Sequence, residues 1–213
     1  MQDAQDYIAK KTKPKGENMS LVFVDCEASG PCPGCGELTE FGAVIHKSKK
    51  TFYGDLRGKT PYGIALTFLH FRKFLENNCE SRPVFVSDNP AFDWQWINYY
   101  FHHIFGMNPF GWSGRRIGDY FAGLQGDFHK SNDWKKLRVT KHDHNPVNDA
   151  MGNVEAFDRF QLNYQIEKDK AKRDDTPTIS GGQIVPGYII PGQVTEVTFN
   201  EWDRFKESTG GTP

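Results

Sequence analysis

A chain of 213 residues with 14% aromatic side chains can bury a real core, which excludes an intrinsically disordered protein. Its 26 basic and 27 acidic residues leave a formal net charge of −1, so no global positive field draws it to nucleic acid. No run approaches the roughly 18 apolar residues of a membrane span, and no basic-then-apolar leader opens the chain, so a soluble cytoplasmic protein with no membrane partner is expected.

Residues 1–19 place Lys10, Lys11, Lys13 and Lys15 around Pro14 and Gly16, and read as a basic, solvated arm. The apolar run Ser20–Asp25 predicts a strand, Phe41–Ile45 a second and Thr51–Asp55 a third, joined by short links as in an antiparallel meander. Thr60-Pro61 has the form of an N-cap followed by a proline at the first helical position, and Ile64, Phe68, Phe71 and Leu75 follow at helical spacing. Pro83–Ser87 predicts a fourth strand. Asn89-Pro90 opens a helix that carries Phe92, Trp96, Tyr99 and His103 and ends near Gly106. After a Gly/Pro/Asn-rich loop, Asp119 is expected to cap a short helix over Tyr120–Leu124. Asn145-Pro146 starts the last clear helix, with Ala150, Val154 and Phe157 inward, and it fades into the charged run Glu167–Asp175.

Beyond Thr176 the composition turns to Gly, Pro, Thr and Val. Gln183–Tyr188 and Val194–Phe199 can pair as strands, and Phe199–Phe205 can form a short helix. Three segments follow: a flexible arm at 1–19, one domain at 20–168 and a C-terminal appendage at 169–213. The four cysteines offer a lone Cys-x-x-Cys at Cys32 and Cys35, with Cys26 and Cys79 elsewhere. A structural zinc site normally wants a second such pair or histidines at ligand spacing, so reduced thiols are expected.

The chemistry concentrates in three places. Asp25 and Glu27 are two apart on a strand and therefore project to one side, where two carboxylates favour a bound cation. Solvated strand-end charges are the ordinary alternative. Asp93 falls in the first turn of the helix opened by Asn89-Pro90, where a carboxylate is also a routine dipole partner. His144 and Asp149 bracket Asn145-Pro146, which puts the imidazole on a loop and the carboxylate in a first helical turn. Four carboxylates and an imidazole make the donor set of a two-metal phosphodiesterase: hard oxygens for Mg²⁺ or Mn²⁺, and a histidine to take a proton.

The order and spelling of these pieces resemble the DEDDh-type 3′→5′ exonucleases. Val24-Asp25-Cys26-Glu27-Ala28-Ser29-Gly30, followed by Glu40-Phe41-Gly42-Ala43-Val44, resembles the first family motif and its next strand. Ser87-Asp88-Asn89-Pro90-Ala91-Phe92-Asp93 resembles the second, and His144 through Ala150 the third. The resemblance spans about residues 20–165. It implies an α/β, ribonuclease H-like mixed sheet: three antiparallel strands, then strand and helix in alternation, flanked by helices.

It also implies roles. Asp25, Glu27 and Asp149 would hold one divalent cation and Asp25 with Asp93 a second, either Mg²⁺ or Mn²⁺, while His144 would act as general base. His144 is preferred to His142 because its spacing to Asp149-Ala150 matches the family's third motif. The implied partner is the 3′ end of a single-stranded nucleic acid, DNA or RNA. Ser29, Asn89 and Phe92 inside the motifs, with Arg115, Arg116 and Lys141, are the expected substrate contacts. Trp134, among Lys130, Lys135, Lys136 and Arg138, is expected to anchor its loop. Two departures fall near the terminal-nucleotide pocket: Ala28 stands where the family usually has Thr, and Pro31 follows Gly30 where an apolar wedge is usual. The competing reading is an inactive relative that binds nucleic acid or a polymerase. The presence of all five site residues weighs against it, since clustered acids repel phosphate.

Overall fold

A computed structural model of the protein describes residues 19–174. Strands β1 (Ser20–Ala28), β2 (Leu38–Ile45) and β3 (Thr51–Asp55) form the antiparallel meander that the three apolar runs predict. Strand β4 (Pro83–Ser87) adds parallel to β1, and a two-residue β5 (Arg115–Arg116) adds parallel to β4. The order β3-β2-β1-β4-β5 makes a mixed sheet flanked by helices, the ribonuclease H-like architecture expected from the motifs. Two residues cannot show a period-2 pattern, which is why β5 is invisible in the sequence.

Helix α1 (Pro61–Asn78) starts as Thr60-Pro61 predicts, with the Thr60 hydroxyl accepting from the Gly63 amide at 3.2 Å. Helix α2 (Pro90–Phe105) stops at Gly106, whose φ of 68° is the left-handed cap that glycine adopts without strain. Its buried residues are Asp93, Trp96, Ile97 and Phe101, while Tyr99 is exposed and stacks on His103.

The next helix differs from expectation. Helix α3 (Ile117–Gln125) begins before Asp119, with Arg116 as N-cap. Pairing with β4 ends at Arg116 and the helix follows at once. Asp119 serves from inside the first turn, 2.8 Å from Arg116. Helix α4 (Pro146–Asp174) is capped by Asn145, whose Oδ1 accepts from the Val147 and Asn148 amides at 3.0 and 3.3 Å. It continues past residue 168, where the composition suggested a boundary. The readings made for the basic arm at 1–18, the strands at 183–188 and 194–199 and the helix at 199–205 lie outside the described residues. Among the described residues, no helix is long and apolar enough to cross a membrane.

Alternation along β1 divides the core in two. Val22, Val24 and Cys26 pack with Phe68, Phe71 and Leu75 of α1 and Trp96, Ile97 and Phe101 of α2. Phe23 faces the other way, into a cluster with Ile117, Trp134, Ala150, Val154 and Phe157. Asp25 and Glu27 share the phase of Phe23 and so face α4. Trp134 is fully buried, which makes it the loop anchor.

The start of α4 lies hard against the sheet at Gly42, the Cα partner of Asp25. A Cβ on Gly42 would come within 2.3–2.4 Å of the Pro146 carbonyl and the Val147 amide nitrogen. The absent side chain is what lets the helix bearing Asp149 approach the strand bearing Asp25. Gly42→Ala should therefore cost about 1–3 kcal/mol, as overpacking does. Urea unfolding checks this, and an unchanged midpoint would contradict it.

Candidate active site

Strand β1 outruns its neighbour. Its pairing with β4 covers Ser20 to Phe23, and β4 then gives way to α2. Asp93, in the first turn of α2, steps in where β4 has left: its Oδ1 accepts from the Cys26 amide at 3.0 Å. One buried carboxylate thus closes the backbone beside Asp25 and brings a third acid to the strand end. From the opposite face, the first turn of α4 delivers Asp149, 1% exposed. Ligand oxygens of Asp25, Glu27 and Asp149 lie within 4.8 Å of one another. Asp93 stands beside this group rather than in it, tied to Cys26 and acting on Asp25 as the foremost of the charges that disturb it.

Crowding and burial leave their mark. Burial, and then the carboxylates of Asp93, Asp149 and Glu27, push Asp25 from the usual 3.8 up to about 9. Burial raises Asp93 to about 7. Glu27 and Asp149 each face a histidine: His144 Nδ1 is 3.5 Å from Glu27 Oε1, and His142 Nδ1 is 2.6 Å from Asp149 Oδ2. The second contact lacks the alignment of a hydrogen bond, and Asp149 Oδ2 is a buried oxygen with no donor. A buried orphan oxygen beside two more carboxylates is the donor set of a hard divalent cation. The residues fit such an ion.

His144 is an exposed residue at a φ of 61°, a left-handed conformation uncommon for any residue but glycine. Asp143 holds that loop. Its carboxylate accepts from the Asn145 amide at 3.0 Å and from Asn148 Nδ2 at 2.9 Å, and its own amide donates to Asp149 Oδ1 at 3.2 Å. The Asn148 bond, with the Asn145 amide, keeps Asp143 below the usual carboxylate range. The imidazole is thereby turned toward Glu27 and left open to water.

The expected substrate contacts divide. Arg116 and Asn89 line a cleft of about 600 Å³ at the start of α2, together with Asp88, Pro90, Ala91, Gly114, Asp119 and Lys135. Arg115 is exposed and bonded to Ser113, and Lys141 is exposed on the loop before His142. The Ser29 hydroxyl accepts from the Glu37 amide at 2.9 Å and so pins the loop after β1. Phe92 packs half-buried against the core, edge-on to Trp96. In the loop that departs from the family, Gln95 Nε2 donates to the Pro31 carbonyl at 2.7 Å, while Cys32 and Cys35 are free thiols joined by a backbone turn.

Four features had escaped the sequence. Lys135 and Arg138 meet Asp88 at 2.7 and 3.7 Å, Gly42 sets the approach of α4, and His142 lies against Asp149. No periodicity orients residues on an irregular loop, so only the run of like residues around His144 hinted at His142.

No family model matches the chain. It is 30% identical over 171 residues to the 3′-5′ DNA exonuclease Cap18 of Escherichia coli, an alignment that covers 64% of this chain and 89% of that protein. The nuclease domain of 3′hExo, described as a DEDDh family member bound to rAMP, superposes with a TM-score of 0.44 at 11% identity, covering 73% of this chain and 95% of that one. A zinc-bound complex of Escherichia coli ExoI with single-stranded DNA gives 0.44 at 15% identity, over 75% of this chain and 42% of that one.

The raised Asp25 has a consequence for stability without metal. An acid whose folded value is raised binds its proton more tightly in the fold, so stability falls as pH rises from about 3.8 toward about 9. In a chelator, the melting temperature should decline across that window. Asp25→Asn should flatten the decline and raise the neutral-pH melting temperature, by about 2–4 °C per kcal/mol of repulsion relieved. An Asp25→Asn protein that melts below wild type there would contradict the crowding.

Proposed function

The chain belongs to the DEDDh-type 3′→5′ exonuclease family, and from that premise we propose that it removes nucleotides one at a time from the 3′ end of single-stranded DNA. The observation that carries this reading is the meeting of Asp25 and Glu27 from β1 with Asp149 from α4, with Asp93 tied to the same strand end. DNA is preferred because the relative at 30% identity is a DNA exonuclease.

Asp25, Glu27, Asp93 and Asp149 would hold two divalent cations, Mg²⁺ or Mn²⁺. Such ions supply charge neutralisation at phosphorus and make water a better nucleophile at neutral pH. The chain's own groups do the rest. Water attacks the terminal phosphodiester and gives its proton to the His144 imidazole, which is exposed and turned toward Glu27. The P–O3′ bond breaks, O3′ takes a proton from solvent to become the 3′-hydroxyl of the shortened strand, and the terminal unit leaves as a nucleoside 5′-monophosphate while His144 returns its proton to water.

Grip on the strand comes from local charge, since net charge offers none. Arg116 and Lys135 line the cleft at the start of α2, where they can meet backbone phosphates. Both also have protein partners: Arg116 donates to the Asp88 carbonyl at 3.2 Å and pairs with Asp119 at 2.8 Å, and Lys135 pairs with the Asp88 carboxylate at 2.7 Å. A phosphate entering the cleft would compete for these cations. Arg115 and Lys141 extend the basic surface on either side. The half-buried Phe92 forms wall rather than a stacking platform.

Single-stranded DNA labelled at one end and then the other tests the reading, with RNA of the same sequence alongside. A 3′ label should appear at once as mononucleotide and a 5′ label should shorten stepwise, DNA faster than RNA. Internal cuts in a circular single strand would refute the exonuclease assignment. His144→Ala removes the proton acceptor and leaves the carboxylates, so turnover should fall about 10²–10⁴-fold while thermal unfolding stays as in wild type. Wild-type turnover in His144→Ala would remove this histidine from the mechanism.

A further inference from the structure

Beside the carboxylates lies a second constellation of different chemistry. His142, His144 and Asp149 bring ligand atoms within 4.8 Å of one another. The two rings are 4.5 Å apart between centroids, each pointing a nitrogen at an acid: His142 at Asp149 and His144 at Glu27. Asp149 is 1% exposed, and its Oδ2, the oxygen that His142 faces, has no hydrogen-bond donor. A buried carboxylate oxygen that accepts no hydrogen bond, facing one accessible imidazole with a second beside it, is a donor set for a metal ion.

The donor set selects the ion. Mg²⁺ prefers oxygen throughout, whereas two imidazole nitrogens with carboxylate oxygens suit a borderline ion such as Zn²⁺. In a tetrahedral zinc site with bonds of about 2.0–2.2 Å, neighbouring ligand atoms stand about 3.3 Å apart. The His144–Glu27 separation of 3.5 Å is close to that spacing, and the 2.6 Å between His142 and Asp149 needs only a small opening of an exposed ring.

We propose that His142, His144 and Asp149, with Glu27 as fourth ligand, form an inhibitory Zn²⁺ site. Its occupation excludes the catalytic arrangement: Asp149 and Glu27 are withdrawn from the carboxylate group, and His144 can no longer accept a proton. The inhibitory consequence rests on the exonuclease reading above. The binding itself does not.

The full chain is titrated with Zn²⁺ in excess Mg²⁺ and followed in two ways. Imidazole ¹⁵N resonances report ligation directly, and calorimetry gives the affinity. Zn²⁺ should shift the ring nitrogens of His142 and His144 and leave those of the exposed His129 in place. His142→Ala should weaken Zn²⁺ binding about tenfold or more, the least that loss of even an outer-shell partner costs a metal site. It should also raise, by at least the same factor, the Zn²⁺ concentration that halves the variant's own Mg²⁺-supported rate. His129→Ala should change neither. Unmoved resonances at His142 and His144, or wild-type Zn²⁺ affinity in His142→Ala, would overturn the site. A wild-type protein that shows the ring shifts but no nuclease activity in Mg²⁺ alone would instead overturn the exonuclease reading and the inhibition, with the binding site upheld.

Discussion

Mutual repulsion among carboxylates at the end of β1 is the constraint that organises this protein. Asp25 and Glu27 leave the strand on one side, Asp149 arrives from α4, and Asp93 reaches round from α2. Burial disfavours the charged form of Asp25 and the neighbouring carboxylates add to that, so its carboxyl is pushed up to about 9. Without a cation the proton on Asp25 relieves part of this repulsion, and a bound divalent cation would relieve the rest. The adjoining positive side chains offset it only in part: Lys135 pairs with Asp88, while Arg138, bonded to Asn153 and set over the face of Trp134, lowers Asp25 less than burial and the neighbouring acids raise it.

The architecture serves that arrangement at each level. An apolar β1 with opposite faces in two cores cannot slip by one residue without burying Asp25 and Glu27 among Phe68 and Trp96. The strand's extra length beyond β4 leaves the Cys26 amide for Asp93. Gly42, with no side chain, lets α4 begin against β2 directly opposite Asp25. Asn145 caps that helix and Asp143 ties down the preceding loop, so His144 is offered to water from a fixed position. Local capping, strand register and one glycine together set the distances on which the chemistry depends.

Much of this could be read from residues alone. The meander, the capped starts of α1 and α4 and the left-handed end of α2 follow from apolar periodicity and from Thr60-Pro61, Asn145-Pro146 and Gly106, because such signals act within a few residues. The five proposed site residues were legible from their order and setting, and the structure sets them round one strand end. What escaped was non-local or lacked a period. The two residues of β5 have no pattern, and their pairing moved the start of α3 ahead of Asp119. The closeness of Gly42 to Pro146 joins segments about a hundred residues apart. His142 lies on a loop whose direction only the Asp143 network determines.

The most direct measurement is hydrolysis of 5′-labelled single-stranded DNA by the full chain, first in EDTA and then after Mg²⁺ or Mn²⁺ is returned to the same sample. If the carboxylates are gathered for cations, the strand should stay intact in EDTA and shorten stepwise once the ion is restored. Stepwise shortening that continues at full rate in EDTA would contradict the account.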